Sequence, residues 1–175
     1  GVIRDRGGYI TDATSGDEIN SSSRWSARAQ ATLDLGPNAS MRFILDGAES
    51  DSVCCGVTLL QPGTTSAIIN GLSLLAGYGP GVLPVAPEDR RMTVTPGRGY
   101  GETTEEIGFS AQLDWDLGGI NLTSITAVRD WSATRDQDVD FTSADVAYRD
   151  NLELDIENMT QEIRLQGETG RLNWL

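Results

Sequence analysis

The stretch Ile107 to Trp131, IGFSAQLDWDLGGINLTSITAVRDW, constrains the fold more than any other, because two alternating runs meet at Gly118 and Gly119. Period-2 runs joined by a Gly-Gly pair predict a β-hairpin. In the first arm Ile107, Phe109, Ala111, Leu113, Trp115 and Leu117 share one face, and Gly108, Ser110, Gln112, Asp114 and Asp116 the other. The second arm alternates less cleanly: Ile120, Leu122 and Val128 share their face with Ser124 and Thr126. Each arm has 11 or 12 residues. A soluble strand is typically about 5 or 6 residues, whereas one crossing a bilayer at a tilt needs roughly 9 to 11, so length favours a membrane barrel.

The same alternation recurs along the chain. Trp25, Ala27, Ala29, Ala31, Leu33 and Leu35 oppose Arg24, Ser26, Arg28, Gln30, Thr32 and Asp34; Gly36 to Ala39 turn, and Met41, Phe43, Leu45 and Gly47 return. Met159, Gln161, Ile163 and Leu165 alternate with Thr160, Glu162, Arg164 and Gln166 before a turn at Gly167 to Gly170, after which Leu172 and Trp174 begin another strand. Residues 1 to 6 read as the tail of an arriving strand, and GGYITDATSGDEINSSS after them as a loop. The expected strands are 23–35, 40–48, 106–117, 120–131, 156–166 and 171–175, an antiparallel up-and-down meander of all-β class. Long loops are expected over 49–105, which holds Pro62, Pro80, Pro84, Pro87 and Pro96, and over 132–155. The first loop should contain one short helix, capped by Ser66, with Ile68, Ile69, Leu72, Leu75 and Ala76 at helical spacing before Gly77.

Short turns at Gly36, Gly118 and Gly167 alternate with long loops, the asymmetry of outer-membrane barrels with tight periplasmic turns and large external loops. The alternative with the same pattern is a soluble acidic β-sandwich, with one sheet face in its core, that binds calcium or carbohydrate. Thirteen arginines and no lysine stand against 26 acidic residues, a net charge of −13 that excludes nucleic acid as an expected partner. With no histidine, Ser-His-Asp and Cys-His catalysis and the usual zinc sites are also excluded, which leaves carboxylate chemistry or binding. Glu162 with Asp114 or Asp116 could form a glycosidase pair, but carboxylates on the polar faces of adjacent strands are expected without catalysis, and no enzymatic activity, metal or cofactor is expected. The chain begins without Met and stops at Leu175 inside an alternating run, which reads as a piece of a longer protein.

The segments LTSITAVRDW (Leu122 to Trp131), RDQDVDFTSADVAYR (Arg135 to Arg149) and TQEIRLQGETGRLNWL (Thr160 to Leu175) resemble the barrel region of TonB-dependent outer-membrane receptors. SARAQATLDLGPNASMRFILD (Ser26 to Asp46) resembles an earlier hairpin of the same barrel. The resemblance implies an internal fragment of a 22-stranded barrel, without the plug domain or the TonB-contacting box. It implies a bacterial outer-membrane location, uptake of a scarce small-molecule nutrient such as a metal chelate, contact with outer-membrane lipid, and energy relayed by TonB through the absent plug.

Arg28, Arg42, Arg129, Glu162 and Arg164 lie on the polar faces of these strands. There the arginines are placed either to contact an anionic ligand or the plug, or to form ion-pair ladders with Asp34, Asp46 and Glu162. Asp136-x-Asp138-x-Asp140 resembles the opening of a calcium loop, but Phe141 stands where glycine is needed and Ala147 where a bidentate Glu belongs. Cys54 and Cys55 fall in the loop placed outside the cell, an oxidising location. A vicinal disulfide is the expectation there, with two buried thiols, a distant cysteine or a metal as the alternatives.

Overall fold

The structure, a computed structural model, describes all of residues 1–175. Seven strands form one antiparallel sheet in which every strand pairs with its sequence neighbour within that sheet: β1 (Val2–Arg6), β4 (Ser21–Asp34), β5 (Ala39–Val53), β7 (Gly101–Asp116), β8 (Ile120–Asp138), β9 (Tyr148–Thr169) and β10 (Leu172–Trp174). The sheet is open, since β1 and β10 at its two edges do not pair with each other. Its register is regular from Ser21↔Val53 to Asp34↔Ser40 and across β5, β7 and β8; one irregularity interrupts β8 and β9, between Arg135 and Gln137. The up-and-down antiparallel meander is therefore present.

The strands run further than the alternation predicts. Much of the expected loop 132–155 belongs to β8 and β9, which leaves a connection of nine residues, 139–147, and the loop expected over 49–105 shrinks to 54–100. At these ends both faces of the strand are polar, so the two-residue hydrophobic period fades while the backbone ladder continues.

The segment expected as a loop after residue 6 carries β2 (Ile10–Asp12) and β3 (Glu18–Ile19), which join β6 (Arg91–Met92) in a small sheet of order β3-β2-β6, its β2–β6 pair parallel. Strands of two or three residues are too short for periodicity to announce them. Ile10, Ile19 and Met92 form the buried cluster of this outer cap, with Val53, Val94, Tyr100 and Phe141 against it. The one α-helix, α1 (Ser66–Leu75), is where the sequence places it, but Thr65 is the N-cap, because the Ser66 hydroxyl donates backward to the Gly63 carbonyl at 2.8 Å. Gly77 follows with φ +87°, the left-handed conformation that ends a helix.

Only 16 of 175 residues are buried, and few of them belong to the large sheet. No second layer covers either face of that sheet at the level of its hairpin turns: Leu33, Leu45, Phe109, Met159 and Ile163 stand exposed.

Candidate functional site: two opposite faces and an outer cap

Register fixes which residues share a face, because direct cross-strand partners point the same way. One face carries the rows Leu33–Met41–Leu113–Ser124–Ile163, Ala31–Phe43–Ala111–Thr126–Gln161 and Ala29–Leu45–Phe109–Val128–Met159. The rings of Phe43 and Phe109 stack with centroids 6.4 Å apart. The polar members of this face satisfy one another: Gln161 accepts from the Thr126 hydroxyl at 2.5 Å and donates to the Ser124 hydroxyl at 3.1 Å. The weaker alternation of β8 thus reflects a paired polar trio.

Trp25 bounds this apolar band on the side of the long loops. Its indole lies over Gly47, and its Nε1–H donates to the Glu49 carboxylate at 2.9 Å. At this edge the same face turns acidic: Glu49, Glu105 and Asp155 share the row of Trp25, Asp51 lies one row beyond it, and Asp130 and Glu157 follow Val128 and Met159 in the row of Ala27. Trp115 bounds the band near the Gly118–Gly119 turn, and Trp174 covers Gly167.

All five residues singled out in the sequence lie on the opposite, polar face, but in two groups. Arg28 and Arg129 belong to the row Arg28–Asp46–Gly108–Arg129–Asn158, which lines much of a shallow depression of about 320 Å³. Arg42 and Glu162 share the row Arg42–Gln112–Ile125–Glu162, and Arg164 lies one row nearer the turns. Arg129 pairs with Asp46 at 2.7 Å and Glu106 at 3.3 Å. Arg164 pairs with Glu162 on its own strand. Arg42 does not join a carboxylate ladder; it donates to Gln112 at 2.5 Å, which donates to Asp114 at 2.6 Å, which also accepts from Thr123 at 2.7 Å. Arg28 and Asp34 make no ion pair, so of the ladders expected with Asp34, Asp46 and Glu162 only the last two form. Sequence reasoning missed Glu106, Gly108 and Gln112, which are partners only through register. Arg4, Arg24, Arg28, Arg42, Arg129 and Arg164 all face this side, leaving the apolar band without a cation.

The outer cap is held by polar groups. Asp138, 1% exposed, accepts from the Thr95 amide at 2.7 Å and hydroxyl at 3.1 Å and from the Asp140 and Phe141 amides. Burial, more than these donors offset, raises its pKa above the ordinary carboxylate value, and the charge of Asp140 adds to the effect. Asp140 accepts from the amides of Val146 and Ala147, and Asp136 from that of Asn151. The three carboxylates that resemble a calcium-loop opening are thus committed to donors of their own chain. The Tyr100 hydroxyl is buried with no partner in good hydrogen-bond geometry; burial and then the Asp138 charge push its pKa up to about 12, and a weak approach to the Cys55 backbone offsets only part of this. Cys54 is bridged to Cys55 directly after β5, and Asn20 clamps the adjoining Gly56 by its amide N–H at 2.8 Å and carbonyl at 3.3 Å.

Comparison of this chain with protein-family models, with curated proteins and with solved structures finds no match.

Proposed function

We propose that this chain forms part of the wall of a bacterial outer-membrane barrel, in a receptor that binds a scarce small-molecule nutrient such as a metal chelate and imports it with energy relayed by TonB. The barrel part of this reading is carried by one observation: a sheet face whose apolar band has no protein layer over it, bounded by tryptophans and free of arginine. A sheet must bury its apolar face, and lipid is the partner that fits this one. A sandwich would need a second sheet in that place.

The dimensions agree with a bilayer. From Trp25 in β4 to Leu35, one residue past its end, the band spans ten residue steps, on the order of 34 Å along the strand. At the 35 to 45° tilt of outer-membrane strands that is a height of roughly 24 to 28 Å, against about 25 Å for such barrels. The tilt can also be read from the band's upper edge. It ends at Trp25 in β4 but at Met159 in β9, whose row meets β4 at Ala29, a slip of four residues over four inter-strand steps. That is about 14 Å in roughly 19 Å, an angle near 35°. No helix of the chain is long and apolar enough to cross a membrane, which bears on helices alone.

The transport part rests on the resemblance of the Leu122–Trp131 and Thr160–Leu175 strings to TonB-dependent receptors, and on a polar face suited to a water-filled interior, where the unpaired Arg28 and the chain Arg42–Gln112–Asp114 can meet an anionic ligand or plug. Reconstitution into phospholipid vesicles brominated at defined acyl positions tests the membrane reading. The fluorescence of Trp25 and Trp115, each as the only remaining tryptophan, should be quenched most by shallow bromines. A lone tryptophan introduced by Phe43→Trp or Phe109→Trp should be quenched most by deep ones; no depth dependence refutes the reading.

A further inference from the structure

Between α1 and the outer cap lies a cavity of about 580 Å³, within the roughly 300 to 1,000 Å³ of small-molecule sites. Leu59, Leu60, Ile69, Val82, Leu83 and Phe141 supply apolar wall. Leu60 is 76% exposed and Ile69 only half-buried, so this wall is left facing solvent by the fold itself. Its shape is set without a ligand. The Val82 amide donates to the Asn70 side chain at 2.7 Å, the buried hydroxyls of Ser73 and Ser143 bond each other at 2.5 Å, and the Thr93 hydroxyl holds the Gly81 carbonyl.

One cation stands on this wall. Arg91 makes no ion pair in a chain with twice as many carboxylates as arginines. The one acid on the wall, Asp140, is already occupied, by the Val146 and Ala147 amides and the Thr142 hydroxyl. A preformed apolar hollow with a single uncommitted guanidinium has the character of a site for an amphiphilic anion. We propose that this cavity binds a small organic carboxylate, its apolar body between Leu60, Ile69 and Phe141 and its carboxylate on Arg91. The wall comes wholly from residues 57–93 and 140–142, so the inference stands apart from the barrel reading and can fail or succeed without it.

The test is equilibrium binding of 2-naphthoate and its neutral counterpart 2-naphthamide to the full chain in detergent, with empty micelles as the blank. Naphthoate should saturate a single site, with naphthamide about tenfold weaker or worse, as expected for loss of a charge-assisted contact. Arg91→Gln should bring naphthoate down to the level of naphthamide while leaving naphthamide binding in place, which separates loss of charge from loss of fold. Arg90→Gln, next to it, should change neither. Thr65→Trp, on an exposed part of the wall, should block both. No saturation above the micelle blank overturns the proposal, and so does a preference for naphthoate that survives in Arg91→Gln or binding that survives in Thr65→Trp.

Discussion

The Arg129 guanidinium reaches across a whole strand to Asp46, 2.7 Å away, because β7 presents only Gly108 between them. A Cβ built on Gly108 would lie 2.6 Å from Arg129 Nη2, so any side chain there must push the guanidinium aside. One absent side chain therefore lets two strands that are not neighbours share an ion pair.

Gly108→Ala should uncouple this pair. The substitution itself gains strand propensity, so the readout is a double-mutant cycle of Asp46→Asn and Arg129→Gln by denaturant unfolding, run with and without Gly108→Ala. The coupling expected of such an exposed pair is about 0.2 to 1 kcal/mol, and it should fall to near zero in the Gly108→Ala background. Equal coupling in the two backgrounds would show that the guanidinium does not depend on the glycine.

Substitution should cost differently on the two sheet faces. In lipid, Ala29→Arg or Ala111→Arg should destabilise by about 2 to 4 kcal/mol, while Gln30→Arg should be mild. Gln112→Arg belongs between them, since it removes the acceptor of Arg42 and sets a second guanidinium beside it. Unfolding from vesicles measures this, and equal tolerance at positions 29 and 30 would count against lipid on the apolar face.

Asp138 should make the outer cap more stable in acid. Its folded pKa is raised above the ordinary value of 3.8, so the folded chain holds the proton more tightly than the unfolded one. This contribution is complete below that ordinary value and is lost as pH rises through the raised one. Protection factors of the Thr95 and Phe141 amides should fall over that window. In Asp138→Asn the slope should vanish, with protection lower at neutral pH because one acceptor becomes a donor.

Tyr100→Phe should leave stability unchanged or raise it by up to about 1 kcal/mol, since it deletes a buried hydroxyl that has no partner and keeps the ring against Ile10, Ile19 and Met92. A clear loss of stability would mean that the hydroxyl is bonded in solution.

Iodoacetamide should leave the unreduced protein unmodified and add two groups after reduction, as the Cys54–Cys55 bridge with no free cysteine requires. Two alkylated thiols before reduction would place the pair in the thiol form.

The alternation around Gly118–Gly119 and its recurrence over residues 24–47 were enough to specify these two hairpins, their order and the separation of Phe43, Phe109 and Trp115 from Arg28, Arg42 and Arg129, because side-chain direction in a strand depends only on residue parity. The α1 helix was legible for the same kind of reason, as a local period ended by Gly77. What parity leaves open is register between strands far apart in sequence. Only the tertiary structure set Arg129 over Gly108 against Asp46, 83 residues away, and gathered Ser124, Thr126 and Gln161 into one satisfied group. The outer cap was equally out of reach: its strands β2, β3 and β6 are two or three residues long, and what holds them is Ile10 and Ile19 meeting Met92 from the far end of a long loop. Contacts of that kind carry no period in the sequence, and closing the chain around them is what creates both the buried Asp138 and the hollow beside Arg91.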